Sequence, residues 1–339
     1  MQAVWKKVLC LCLSMLMILG CFAACGGEGE AQNTEPSQTE NPEEAKTLKV
    51  LSLGHSLAVD AGHMLALIAA AEGYEDMKVA TLYYSGCPLY KHVEFLTNDS
   101  REYDLYVSST TTANEPPTIM EGVTMAQALR FDYWDIIIMQ GGVFEIAESI
   151  TYTLGNIQTI QNYVNENKLN PNAVFGWNMP WAPPVDDELR NTFPSENNSY
   201  ITNYQKYNDD RAALYNAITK CVGDHIVTDD SFTCLIPSGT AIENALSSYL
   251  TEKDLHRDYV HTTDLGRVIA SYTWFCVLTG IEQLEEIKLD AIPKNFFKST
   301  SGLEDRVLTD AEKAIILEAV NNALKAPLQM TQSQYTQAQ

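Results

Sequence analysis

The sequence predicts a three-layer α/β/α domain built on one parallel, doubly wound sheet. Three observations lead there. Short apolar runs of strand length recur along the chain and alternate with stretches of helical period. The first of these runs ends in Gly and feeds directly into a helical pattern. The chain has 339 residues, 45% of them hydrophobic, which suffices for one large core or two modest ones.

The elements follow in order. Residues 1–24 are a targeting segment, with Lys6 and Lys7 as its charged start and Val8 to Leu19 as an apolar run too short to span a bilayer comfortably. Phe22-Ala23-Ala24-Cys25-Gly26-Gly27 then resembles the lipobox of bacterial lipoproteins. That resemblance implies a diacylglycerol anchor on Cys25 and a lipid-anchored place on the extracytoplasmic face of the cell membrane. Cys21 is a second candidate, and an ordinary secretory cleavage near Ala24 fits the same residues. Residues 25–46 are acidic and polar, with only Ala and Pro as apolar residues after Cys25, and read as a disordered tether. A single folded domain is expected over 47–339, with its core in 47–280 and an extension in 281–339.

Within the domain, Lys49 to Leu53 is a buried strand, Leu57 to Ala71 a helix, and Lys78 to Tyr84 a second strand ending at Ser85-Gly86-Cys87-Pro88. Tyr103 to Thr112 is rich in aromatic and β-branched residues. Pro116-Pro117 interrupts the stretch from there to Met125, which suggests an inserted hairpin or long ordered loop. Ile136 to Met139 is a fully buried strand stopped by Gln140-Gly141-Gly142. A helix at Asn156–Glu166, a strand at Ala173–Trp177, a helix at Tyr200–Val222 and a short strand at His225–Val227 come next. The last two helices are expected at Thr262–Leu278 and Thr309–Leu324.

Charge narrows the partners. Without residues 1–24 the 22 Lys and Arg lose two, leaving 20 against 44 acids and a net charge near −24. Such a chain is a poor partner for nucleic acid or anionic headgroups. Beyond Cys25 only Cys87, Cys221, Cys234 and Cys276 remain, which is no disulfide scaffold. There is no metal-ligand spacing, and nothing in the chain calls for a cofactor.

Ser56 follows the first strand and opens a helix, the edge where open α/β sheets place their sites. A helix N-terminus also offers N–H groups to a developing anion. Ser is equally a favoured N-cap, so this stretch alone leaves both readings open. Gly54-His55-Ser56-Leu57-Ala58 approaches the G-x-S-x-G elbow of α/β-hydrolases, but that elbow follows a middle strand, not the first. Of the six His, His261 has a carboxylate at useful spacing just before a helix: Asp258 precedes it by three. A carboxylate so placed fixes the imidazole tautomer and stabilises the imidazolium.

The order of these pieces resembles the SGNH (GDSL-like) hydrolase superfamily, and within it an uncharacterised branch common in gut bacteria. The residues carrying the resemblance are Gly54-His55-Ser56, Gly86-Cys87, Met139-Gln140, Trp181-Ala182, Ile236-Pro237-Ser238-Gly239-Thr240-Ala241 and Asp258-Tyr259-Val260-His261. It covers roughly residues 47 to 280. It implies a flavodoxin-like sheet and a serine ester hydrolase that deacylates a glycan or a small ester. Ser56 would be the nucleophile, His261 the base and Asp258 its orienting partner. Ser56, Gly86 and Gln140 would form the oxyanion hole, with the N–H of Gly141 or Gly142 as substitutes for Gln140. Two departures stand out: His55 replaces the usual Asn or Asp, and the third block lacks G-x-N-D. Trp181, in a proline-bordered loop, is the expected substrate-stacking ring. The rival reading is a lipoprotein that binds glycan in the same cleft without turning it over.

Overall fold

Successive residues of the first strand serve two different cores. In the computed structural model, which describes residues 47–143, 145–192, 206–207, 209–294 and 305–337, Val50 joins one apolar cluster while Leu51 and Leu53 join another. The same alternation separates Met77 and Val79 from Ala80 and Leu82, and Ile138 from Ile137 and Met139. A period of two with both faces apolar is what a strand covered on both sides requires.

The chain forms β1 (Thr47–Gly54), α1 (Ser56–Gly62), α2 (Leu65–Ala71), β2 (Asp76–Tyr83), α3 (Leu89–Thr97), β3 (Tyr103–Ser109), β4 (Thr118–Val123), α4 (Met125–Leu129) and β5 (Ile136–Met139). It continues with α5 (Ser149–Thr153), α6 (Asn156–Asn167), β6 (Val174–Asn178), α7 (Asp187–Arg190), α8 (Arg211–His225), β7 (Phe232–Ile236), α9 (Ser238–Leu246), α10 (Glu252–Leu255) and α11 (Asp264–Thr279). A two-residue pair, β8 (Ala291–Ile292) and β9 (Arg306–Val307), precedes α12 (Asp310–Lys325).

The seven-stranded sheet runs β4-β3-β2-β1-β5-β6-β7. Its five parallel strands, β2-β1-β5-β6-β7, follow the flavodoxin-like order. The expected insert is a hairpin, and it extends the sheet: β3 and β4 add antiparallel strands at the β2 edge. Residues of α1, α2, α9, α11 and α12 fill the core on one face, and residues of α3, α4, α6 and α8 fill it on the other. The extension thus joins the main core, through Ile315, Ile316, Ala319, Val320 and Ala323 of α12.

Three local expectations change. The helix from Leu57 is two helices, parted at His63-Met64 after Gly62, a residue of low helix propensity. His225 ends α8 and begins no strand; Val222 and Ile226 are buried in the same core, so the helical period persists until the chain turns. The edge strand comes later, at Phe232–Ile236, where it pairs with β6. The start of the expected Tyr200–Val222 helix, the signal and tether of residues 1–46, Cys21 and Cys25 lie outside the described residues. Cys87, Cys221, Cys234 and Cys276 are all free thiols, so Cys221 and Cys234 are not paired.

Candidate active site

The turn after β1 is built without spare room. A Cβ on Gly54 would lie 2.7 Å from the Cβ of Ala58 and 2.8 Å from the Gln140 carboxamide, so only glycine fits. His55 is fully buried and caps α1: its Nδ1 accepts the Leu57 N–H at 3.3 Å, and Nε2–H donates to the Gly141 carbonyl at 3.0 Å. Burial lowers its pKa to about 4, so the neutral tautomer this bonding needs is the stable one. His55 therefore ties the Ser56 turn to the loop after β5.

Ser56 is the first residue of α1 and keeps partial solvent access. Its N–H, one of the orphan donors of a helix start, has no acceptor among the described residues. Beside it, Tyr84 N–H donates to the Gly54 carbonyl at 3.3 Å, which sets the loop after β2 against the loop after β1. Tyr84 to Cys87 is a turn closed by Cys87 N–H on Tyr84 O at 3.2 Å. Gly86 has a φ of 60°, as the third residue of a type II turn requires. The Gly86 N–H also lacks an acceptor among the described residues.

The D-x-x-H segment lies between α10 and α11. Both carboxylate oxygens of Asp258 face Nδ1 of His261, at 3.0 and 2.9 Å, and Oδ1 also accepts the N–H groups of Val260 and His261. Burial works to raise the Asp258 carboxyl, but these bonds and the His261 charge hold it below the usual carboxylate range. It stays an anion and fixes the proton of His261 on Nδ1, leaving Nε2 to accept. The Thr262 N–H, the next after His261, is bound by Asp60 of α1 at 3.0 Å, which brings this segment to α1. Among the described residues, the Ser56 hydroxyl and His261 Nε2 are not hydrogen-bonded to each other.

The link between the two segments is Asp60, one helical turn after Ser56 and 2% exposed. Its Oδ2 accepts the Thr262 N–H at 3.0 Å, and its oxygens take Arg267 Nε at 3.0 Å and Arg257 Nη1 at 3.1 and 3.2 Å. The spacing of Ser56 and Asp60 on one helix face was legible in the sequence; its arginine and amide partners were not.

Two expected site residues sit elsewhere. Gln140 is 1% exposed. One end of its carboxamide meets Asn178 at 2.9 Å; the other faces the N–H groups of His55 and Ala58 at 3.3 Å and Nε2 of His55 at 3.1 Å. Enclosed between these partners, Gln140 braces the Ser56 turn and presents no donor to a substrate. Asn178 extends the brace through Ser238 at 2.7 Å, a buried polar chain that no motif announced. Trp181 is completely buried and its Nε1–H donates to the Val260 carbonyl at 2.8 Å; a ring without exposed area cannot stack on a glycan. Tyr83 and Tyr84 are partly buried, and Trp177 is fully buried. His92 and His256 are buried as well and His63 is half-buried; desolvation lowers the pKa of each.

The profile of the DUF4886 family, a domain of unknown function, matches residues 49–294. No curated protein matches the chain. Among solved structures, a DUF4886 family protein from Bacteroides uniformis superposes with a TM-score of 0.68 at 23% identity, covering 86% of this chain and 100% of that one. That likeness establishes the fold. A candidate SGNH hydrolase from Slackia heliotrinireducens gives a TM-score of 0.40 at 15% identity over 69% of this chain and 100% of its own. A catalytic mutant of an acetylxylan esterase from Geobacillus stearothermophilus gives 0.37 at 10% identity over 69% and 96%. At TM-scores this low, neither bears on function.

Proposed function

We propose that this chain, which belongs to the DUF4886 family, is a serine ester hydrolase that removes an acyl group from a glycan or a small ester. One observation carries the reading: the Asp258–His261 pair is anchored, through Asp60, to the helix that Ser56 opens. In this scheme Ser56 Oγ attacks the acyl carbon and His261 Nε2 takes its proton. His261 then returns the proton to the leaving alcohol, and a water repeats the sequence to free the acid. Asp258 holds the imidazole in the tautomer that can accept. The Ser56 and Gly86 N–H groups, both without acceptors among the described residues, are the donors for the oxyanion. A donor of this kind typically lowers the barrier by about 2.7–4 kcal/mol. The substrate class comes from the sequence resemblance, as does the lipid-anchored, extracytoplasmic location through Cys25.

Fluorophosphonate labelling followed by peptide mapping tests the assignment. The expected adduct is on Ser56. An adduct on another residue, or none in folded protein, would overturn it, and glycan retention without labelling would favour the binding protein instead.

A further inference from the structure

We infer that Asp60 is a positioning residue for the proposed Ser56–His261 pair, holding the histidine loop in register with the nucleophile's helix. This deepens the hydrolase reading and rests on it.

The backbone polar groups around His261 are fixed one by one. The His261 N–H is bound by Asp258, and its carbonyl accepts the Arg257 N–H at 3.0 Å. The next N–H, of Thr262, goes to Asp60 Oδ2 at 3.0 Å, and the Thr262 carbonyl accepts from the Arg257 guanidinium. Three of these four bonds involve Asp60 or the arginine it binds. Asp60 is rigidly tied to Ser56, because four residues along a helix lie on one face. A shift of α1 therefore carries the histidine loop with it.

The charges around Asp60 suit this task. Burial works to raise its carboxyl, but Arg267 and Arg257 hold it down to about 2, so it is an anion at any working pH. Arg267 comes from α11 and is itself bound to Asp264 at 3.0 Å; Arg257 lies 3.8 Å from Asp258. A buried ion pair alone would be weak evidence for any role beyond structure. The Thr262 amide is the distinguishing feature, since it couples the carboxylate to the peptide that follows the proposed base and not only to side chains.

The test compares wild type, Asp60→Asn and Glu243→Gln for labelling by a fluorophosphonate and for turnover of a small activated acetate ester. Glu243 is a buried acid paired with Arg211 at 2.8 Å and is no part of the site, so Glu243→Gln controls for lost stability. Misplacement of a reacting group by about 1 Å costs up to about 100-fold. Asp60→Asn is expected to label to full stoichiometry but roughly 10- to 100-fold more slowly, with kcat reduced in parallel and KM within about twofold. Glu243→Gln is expected to melt earlier yet label at the wild-type rate. If Asp60→Asn does not fold, Arg257→Gln, at a partly exposed position, is expected to show the same slow labelling at full stoichiometry, to a smaller degree. A wild-type labelling rate in Asp60→Asn, or a loss confined to stoichiometry, would overturn the positioning role. Wild type that neither labels nor loses turnover on Ser56→Ala would overturn the hydrolase reading underneath it.

Discussion

The indole N–H of Trp181 donates to the carbonyl of Val260 at 2.8 Å, one residue before His261. The loop after β6 thereby supports the histidine segment from below, while Asp60 supports it from the side of α1. Both anchors are buried.

Trp181→Phe should keep most of the packing and delete this one donor. A buried carbonyl left without its partner costs about 1–3 kcal/mol. Thermal unfolding should show that loss, and kcat should fall while KM changes little, because the ring does not meet substrate. Trp181→Ala should cost more, about 3–5 kcal/mol, through the cavity it leaves. A large KM effect with unchanged kcat would restore the ring to a binding role.

Acid should destabilise the fold before it protonates the carboxylates. His55 is held near 4 and His63 and His92 near 3 by burial, with His256 also well below its ordinary value. In the unfolded chain these groups titrate near 6.5. Between that value and about 4 the unfolded state binds protons that the folded state cannot. The contribution is therefore complete above pH 6.5 and is lost as pH falls through that window, by about 2 kcal/mol at pH 5 for His55. Unfolding midpoints at pH 7.5, 6 and 5 should fall steadily. His55→Asn, which keeps a turn-bonding side chain without the titration, should flatten the slope; an unchanged slope would count against His55 as a contributor.

Much of this was legible in the sequence because strands buried on both faces are continuous apolar runs, and Ile136–Met139 could be nothing else. Asp258 and His261 were readable for a related reason: a three-residue spacing across a short loop fixes their approach almost by itself. Trp181 misled because bordering prolines mark a loop but do not say which way its side chains point. Gln140 misled because an amide can serve a substrate or the protein's own backbone, and only its burial against His55 and Asn178 decides which. The His225–Val227 run looked like a strand from β-branching alone, while the partner that makes a strand, β6, pairs with residues further on.

Location can be tested independently of chemistry. Cys25→Ala should abolish lipid attachment, and the protein should leave the membrane fraction for the soluble one. Retention of the variant in the membrane would mean that the apolar run of residues 8–19 acts as the anchor.

The proposed mechanism makes its sharpest demand on non-additivity. His261 has to take the Ser56 proton, so the two residues act in one step on an activated acetate ester. Ser56→Ala removes the nucleophile and His261→Ala removes the base, and each alone disables the same step. Either change should remove most turnover, and the double variant should lose little more, since residues acting as one unit do not contribute independently. The residual rate should come from binding and from the two backbone donors, which neither substitution deletes. Asp258→Asn leaves the imidazole in place but permits the wrong tautomer, so its loss should be comparable or smaller. It should also forfeit the bonds that Asp258 makes to the N–H groups of Val260 and His261 only in part, because an amide oxygen can still accept them. Losses that simply multiply in the double variant would mean that Ser56 and His261 serve separate steps, and the shared site proposed here would have to be abandoned.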